Sequence, residues 1–286
     1  MSAGPSRSRD ARALAEIAYA DLLQAVGSNR SHLVLIGGLV PEHLVESDEP
    51  HQGTNDVDVL LDIGLVYDRD DLDFGWLEEA LYSAGFVTAT PNTGWRWVKD
   101  VHGFPVVVEF LVDVQDSAEQ EIALPGAATL GAKNVRGPSP ALRDIRHAVV
   151  GGQAAAVAGL GGYLAAKGAS AYYRRADKDL YDFAWVLVAD LRAGSGNAAT
   201  EVMRVIDPSA ERDRADAILS VCHLFDAPAA DGPRVFAELS QAAGADESRE
   251  SLALDAVVAV AHFKAAFADE LARARSGTSD PDGRSA

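Results

Sequence analysis

The hydrophobic pattern of this chain changes its period about halfway along, and that change limits the folds open to it. Up to about residue 130, short apolar runs with strand-like alternation stand between helical segments. The clearest run is VVVEFLVDV, at residues 106–114. Beyond about residue 140, helical periodicity prevails to about residue 275. The sequence therefore predicts an α+β protein: a mixed region at residues 10–130, an all-helical region at 138–275 and a disordered tail at 276–286.

Local patterns place the individual elements. In the first half, apolar spacing predicts helices at residues 10–26 and 71–83, a short helix ending near residue 44, and strands at 32–36, 53–62, 86–90, 94–99 and 106–114. In the second half, it predicts helices at 154–175, 178–191, 210–224, 233–243 and 248–274. A segment rich in Gly and Pro, residues 126–140, is the predicted linker.

Composition excludes several classes of protein. Hydrophobic residues make up 48% of the 286 residues and charged residues 24%, which excludes disorder along the whole chain. A lone cysteine, Cys222, excludes a disulfide framework and a cysteine-based zinc site. The longest apolar stretch, residues 154–166, is too short to span a bilayer, and the N-terminus has no secretory pattern. We therefore expect a cytoplasmic protein with no membrane partner.

The charge is unevenly distributed along the chain. The formal net charge is −18, so non-specific coating of nucleic acid is not expected. Between Lys133 and Lys178, however, eight basic residues stand against only two acidic ones. A local basic surface on an acidic body favours a polyanionic ligand bound at one place. The alternative is that these helices simply carry solvated charges.

Three carboxylates in predicted strands are the main candidates for chemistry. Asp56 and Asp58 are two residues apart, so in a strand they project from the same face. Two such charges about 4 Å apart repel by roughly 4 kcal/mol at an effective dielectric near 20. Mg²⁺ between them would relieve the repulsion, because it binds a few carboxylates together with substrate phosphates. Glu109, inside the strongest strand, is a candidate third ligand; the alternative is an edge strand with one solvated face.

A glycine pair follows the first predicted strand. Gly37 and Gly38 come directly after the apolar run LVLI. Glycines at a strand end allow the backbone to approach a phosphate closely and to present N–H groups to it. This pair is therefore a candidate nucleotide-binding turn.

Taken together, these motifs resemble a known family. The order of apolar strand, Gly-Gly, helix, T-x-D-x-D and a later acidic residue in a strand resembles the polymerase-beta-type nucleotidyltransferase fold. The segment KGASAYYRRADKDLYDFAWVL resembles the K-x3-A…R…KD-x-YD signature of the AbiEii family, toxins of type IV toxin–antitoxin systems. The resemblance extends over roughly residues 33–187.

The resemblance implies roles for particular residues. It makes Asp56, Asp58 and Glu109 the metal-binding carboxylates of the catalytic site. It also implies catalytic or nucleotide-binding roles for the glycine turn, the threonine before the aspartate pair and the polar residues of the helical motif: Gly37, Gly38, Thr54, Lys167, Arg174, Asp179 and Asp182. From the residues alone, Asp179 and Asp182 could bind a nucleotide or tRNA end, orient Lys167, or pair with Arg174, Arg175 and Lys178.

The function implied is a Mg²⁺-dependent nucleotidyltransferase that transfers NMP from an NTP. The resemblance implies RNA such as tRNA as the acceptor, a toxin role in toxin–antitoxin or phage defence, and a possible cognate antitoxin. One alternative is transfer to a small molecule or protein hydroxyl. Another is a non-catalytic nucleotide-binding module of the same fold.

Overall fold

The computed structural model describes residues 8–63, 72–114 and 120–277. Its helices are α1 (Arg9–Val26), α2 (Pro41–Leu44), α3 (Gly75–Ser83), α4 (Leu160–Arg174), α5 (Asp177–Arg192), α6 (Ala198–Val205), α7 (Arg212–Cys222), α8 (Asp231–Ala243) and α9 (Arg249–Gly277). Its strands are β1 (Leu33–Ile36), β2 (Asp56–Leu61), β3 (Val87–Thr90), β4 (Thr93–Val101), β5 (Phe104–Val112), β6 (Glu121–Ala123), β7 (Gly131–Asn134), β8 (Ile145–Val150) and β9 (Gln153–Ala158).

The strands form one mixed sheet, with the order β3-β4-β5-β2-β1-β9-β8 and with β6 and β7 attached beside β5. β2 pairs in parallel with β5 and antiparallel with β1, and β1 pairs in parallel with β9. These central strands are apolar, and all four residues of β1 are buried. A strand buried on both faces must be covered by other elements, and α1 contacts β2, β5 and β9.

The C-terminal helices pack mainly on one another. α5 is buried along almost its whole length and contacts α4, α8 and α9. Phe183 of α5 meets Phe263 of α9 edge-to-face, with ring centroids 5.8 Å apart. Four large apolar residues of the KD-x-YD helix lie in the core: Leu180, Phe183, Trp185 and Leu187.

The α+β architecture with a mixed sheet and C-terminal helices is confirmed, but the 138–275 region is not all-helical. Residues 154–158, predicted as the start of a helix, belong to β9, and β8 precedes it. This hairpin belongs to the central sheet, because β9 pairs with β1. The short elements α6, β6 and β7 were not predicted from the sequence.

Two further predictions concern the C-terminus and the membrane. α9 continues to Gly277, so residues 276 and 277 of the predicted tail are helical, whereas residues 278–286 lie outside the described residues. Within the described residues, α9 is the one helix long and apolar enough to cross a membrane by length and composition. Its buried side chains, among them Leu252, Val260 and Phe267, pack within the apolar core, and 39% of its apolar window is buried.

Candidate active site

The three predicted carboxylates lie on two neighbouring strands. Asp56 and Asp58 project from the same face of β2, while Val57 and Val59 between and beyond them are fully buried. Glu109 lies on β5, directly opposite Asp58 in the parallel register. The predicted juxtaposition of the aspartate pair with a carboxylate from an adjacent strand is therefore present.

The glycine turn lies against this acidic group. Gly37 has a φ of +76°, a backbone conformation that glycine adopts without penalty. A Cβ at this position would lie 1.9 Å from Oδ2 of Asp58. Only a residue without a side chain can occupy this place while Asp58 keeps its position.

The electrostatics of the three carboxylates differ. Burial, together with the neighbouring Asp56 and Glu109 carboxylates, raises the pKa of Asp58 to about 7. Burial also raises the pKa of Glu109, although the Arg96 guanidinium, 3.0 Å away, opposes that shift. The ionised form of Asp58 is therefore unfavourable in this site, and a nearby cation would stabilise it.

Asp56 has partners on two sides. The Thr54 hydroxyl donates a hydrogen bond to Asp56 Oδ1. Lys178, near the start of α5, brings its ammonium to 4.0 Å from Asp56 Oδ2. Thr54 is fully buried, so its hydroxyl contacts the Asp56 carboxylate from inside the protein.

A cavity of about 560 Å³ opens beside the carboxylates. Asp58, Glu109 and the Gly37–Gly38 turn form one wall. Five cations from the basic segment line the cavity as well: Lys133, Arg136, Lys167, Arg174 and Lys178. The cavity is thus acidic at one wall and basic elsewhere, which is suited to a cation-bound polyphosphate.

Aromatic rings supply a further part of the lining. Trp95, Tyr163 and Tyr173 face the cavity. The Trp95 ring has the Arg96 guanidinium 5.2 Å and the Lys133 ammonium 5.9 Å from its centroid. Rings and cations side by side can contact both the base and the phosphates of a nucleotide.

Lys167 is held by the two aspartates of α5. Its ammonium donates to Asp179 Oδ1 at 3.2 Å and to Asp182 Oδ2 at 2.6 Å. Arg174 pairs with Asp179 at 3.0 Å, and His51 bonds Asp182 at 3.0 Å. Both aspartates are fully buried.

The structure thus brings most predicted site residues together and separates them into two groups. Six line the cavity: Gly37, Gly38, Asp58, Glu109, Lys167 and Arg174. Asp56, Thr54, Asp179 and Asp182 are not among the lining residues, and each contacts another residue of the site. Of the interactions left open by the sequence, Asp182 holds Lys167, and Asp179 binds both Lys167 and Arg174.

Several lining residues were not singled out from the sequence as site residues. The basic segment includes Lys133, Arg136 and Lys178, so their charge indicated a possible role. The sequence did not distinguish them from the other basic residues of that segment, Arg143, Arg146 and Arg175. Arg143 pairs with Glu211, away from the cavity. Trp95 gave no local signal, because its position depends on how β4 pairs with β5.

The donor set suits Mg²⁺ at Asp56 and Asp58. Both offer carboxylate oxygens on one face of a strand, and a cation bound there would stabilise the unfavourable charge of Asp58. Across residues 8–63, 72–114 and 120–277, no three acidic, His or Cys side chains already converge at metal-binding distance. Mg²⁺ typically takes one or two carboxylates and completes its shell with water and phosphate oxygens, so two aspartates suffice.

Comparison with known protein families and with curated proteins finds no match for this chain. Among solved structures, it is similar to an antigenic nucleotidyltransferase-like protein from Paracoccidioides brasiliensis. That similarity has 16% sequence identity and a TM-score of 0.41, over 74% of this chain and 93% of the other. The AbiEii resemblance and the polymerase-beta-type core remain predictions from the sequence motifs.

Proposed function

We propose that this protein is a Mg²⁺-dependent nucleotidyltransferase that transfers NMP from an NTP to an acceptor. The observation that carries the proposal is the single cavity in which Asp58, Glu109 and the glycine turn lie together with five cations. Nucleotidyl transfer requires acidic residues that bind the metal ion. It also requires basic residues that neutralise the negatively charged triphosphate.

In this proposal the position of each residue in the cavity determines its role. Asp56 and Asp58 hold Mg²⁺. Glu109 is a third metal-binding carboxylate, which must leave its ion pair with Arg96 to bind the metal. Bound Mg²⁺ supplies Lewis-acid stabilisation of the attacking and leaving oxygens of an in-line displacement. Lys167 and Arg174 neutralise the triphosphate, and the backbone N–H groups of the glycine turn contact its oxygens.

We further propose a single-stranded RNA end, such as that of tRNA, as the acceptor. Four consecutive residues at the end of α4, Tyr172–Arg175, are exposed, and Tyr173 and Arg174 also line the cavity. Exposed aromatic rings beside guanidinium groups are the means by which proteins bind unpaired bases and their phosphates. Tyr172→Ala should then weaken RNA binding several-fold without changing NTP binding.

The proposed biological role is that of a cytoplasmic toxin in a toxin–antitoxin or phage-defence pair, with a cognate antitoxin as partner. It rests on the AbiEii-like segment at residues 167–187. Induced expression should arrest growth, whereas expression of Asp58→Asn should not. Equal growth arrest by both proteins would contradict a catalytic toxin.

The direct experiment is transfer of label from each α-labelled NTP, with Mg²⁺ and total RNA, by wild type and Asp58→Asn. We expect label on tRNA-sized RNA that is absent with the variant. The net charge of −18 favours the second candidate, transfer to a small molecule or protein hydroxyl, in which activity would need no RNA and resist salt. Stabilisation by NTP and Mg²⁺ without any transfer would instead indicate a nucleotide-binding module.

A further inference from the structure

The loop that precedes β2 is fastened to α5 at three places. Seventeen residues separate Gly38 from Asp56, and the later part of this stretch runs along α5. The Glu49 carboxylate accepts from Arg192, the His51 ring bonds Asp182 at 3.0 Å, and the Gln52 backbone N–H donates to the Tyr181 hydroxyl at 2.9 Å. All three partners belong to α5, so the approach to the aspartate pair is anchored on the helical half.

The orientation of His51 fixes which of its nitrogens carries the proton. The Gly53 backbone N–H donates to Nδ1 at 3.2 Å, so Nδ1 accepts and has no hydrogen. The proton is therefore on Nε2, which donates to Asp182 Oδ1. The ring is fully buried, with Tyr181 and Trp185 at centroid distances of 5.1 and 5.2 Å. Packing and both hydrogen bonds thus hold one tautomer in one orientation.

Asp182 connects this histidine to the cavity. One of its oxygens accepts from His51, and the other accepts from Lys167 at 2.6 Å. Lys167 in turn lines the cavity. The carboxylate cannot rotate to favour one partner without weakening its bond to the other. The loop, the buried aspartate and the cavity lysine are therefore one connected unit.

We propose that His51 is a positioning residue for nucleotidyl transfer, which orients Asp182 and through it the ammonium of Lys167. The inference rests on the proposed function, because it assigns His51 a role in that reaction. His51 does not line the cavity and does not touch the reacting groups. Its effect is to keep the lysine aimed at the triphosphate, where a misplacement of about 1 Å can lower a rate roughly a hundredfold.

The test compares nucleotide transfer by wild type, His51→Leu and His51→Gln. Leucine removes the donor, so we expect kcat to fall about 10- to 100-fold, with a smaller change in the KM for NTP. The glutamine amide can donate to Asp182 as Nε2 does, so His51→Gln should stay within about fivefold of wild type. Tyr181→Phe is the matched control, since it removes another link between the loop and α5 without touching Asp182, and it should retain wild-type kcat.

A double-mutant cycle tests whether His51 acts through Asp182. If it does, His51→Leu should cost almost nothing in a protein that already carries Asp182→Asn. Additive losses would overturn the inference, as would equal losses in His51→Leu and Tyr181→Phe. An active wild type with an equally active His51→Leu variant would overturn the inference alone, whereas a wild type that transfers no nucleotide would overturn the proposed function with it.

A measurement on the unaltered protein is independent of variant folding. Nitrogen NMR of histidine-labelled wild type should show one imidazole held as the Nε2–H tautomer, and this signal should disappear in His51→Gln. An Nδ1–H tautomer or an imidazolium assigned to His51 would overturn the inference, because neither can accept from Gly53 while donating to Asp182.

Discussion

The α-carbon of Gly37 lies so close to Asp58 that an added methyl group would sit 1.9 Å from the carboxylate oxygen Oδ2. The glycine turn and the aspartate pair therefore depend on each other. Any side chain at residue 37 displaces Asp58, and the backbone there also has a positive φ. The requirement for glycine at this place is steric as well as conformational.

Gly37→Ala should consequently abolish nucleotide transfer. It should also lower the free energy of unfolding by more than conformational strain alone would lower it. A matched control exists in Gly85→Ala, because Gly85 has a similar φ of +83° but nothing within 4 Å of an added Cβ. Strain should cost each variant about 1–2 kcal/mol, and the displaced Asp58 about 1–3 kcal/mol more in Gly37→Ala. Urea unfolding and the transfer assay measure both effects; equal behaviour of the two variants would contradict the close contact.

Lys167→Ala should lose both activity and stability. Asp179 and Asp182 are fully buried and share this lysine, so the fold depends on it as well as the site. Removing one partner of a buried ion cluster costs about 3–5 kcal/mol, because the remaining charges are left uncompensated.

The double variant Lys167→Met with Asp182→Asn offers the control for that effect. It removes one charge of each sign, so it should recover much of the lost stability and none of the activity. Denaturant unfolding of the single and double variants checks this. A Lys167→Ala variant as stable as wild type would show that the cluster is not buried in solution.

Asp58→Asn should stabilise the metal-free protein while abolishing transfer. Because burial and its acidic neighbours raise the pKa of Asp58 to about 7, its charge destabilises the folded state at neutral pH. The sign follows from the raised value: the folded state holds the proton more tightly, so stability falls as pH rises from about 4 towards 7.

We therefore expect Asp58→Asn to match wild type near pH 4 and to exceed its stability by about 1–3 kcal/mol above pH 7 without divalent metal. Addition of Mg²⁺ and NTP should then stabilise wild type and leave the variant unchanged. Asp269→Asn, at an exposed position of α9, controls for loss of one negative charge. A variant less stable than wild type at pH 8 would contradict this prediction.

The sequence predicts the helices and strands of this fold better than it predicts which elements pair or pack together. The alternation around Asp56 and the strong run around Glu109 identify both strands, whose register places Asp58 opposite Glu109. The hairpin β8–β9 was missed because QAAAVA is rich in alanine, which favours helices in isolation. Pairing with β1 overrides that propensity, and the Gly151–Gly152 turn was the available signal, since two glycines with positive φ suit a two-residue hairpin.

The sequence offered the side-chain contacts around Lys167 only as one of several alternatives. The spacing of Asp179 and Asp182 places them near each other on one helix but does not say what they bind. His51 comes from a loop 131 residues away from Asp182. Such contacts depend on how the loop before β2 packs against α5, and no local periodicity encodes that packing.

Glu78 gives a prediction for the fold that is independent of the site. It is almost fully buried on α3, and its carboxylate accepts from the backbone N–H groups of Ala128, Thr129 and Leu130 at 2.7, 2.6 and 2.9 Å. Burial alone would raise the pKa of Glu78, but these three donors outweigh it and lower the pKa.

Glu78→Gln should therefore destabilise the protein by about 1–3 kcal/mol near neutral pH, because an amide cannot accept all three bonds. With the folded pKa below the ordinary value, the contribution is complete above about pH 4.5 and disappears as pH falls through the folded value. The stability difference between wild type and Glu78→Gln should thus shrink in acid, whereas the exposed neighbour variant Glu79→Gln should show no comparable loss at any pH. A constant difference from pH 7 to pH 3 would mean that Glu78 acts through packing and not through its charge.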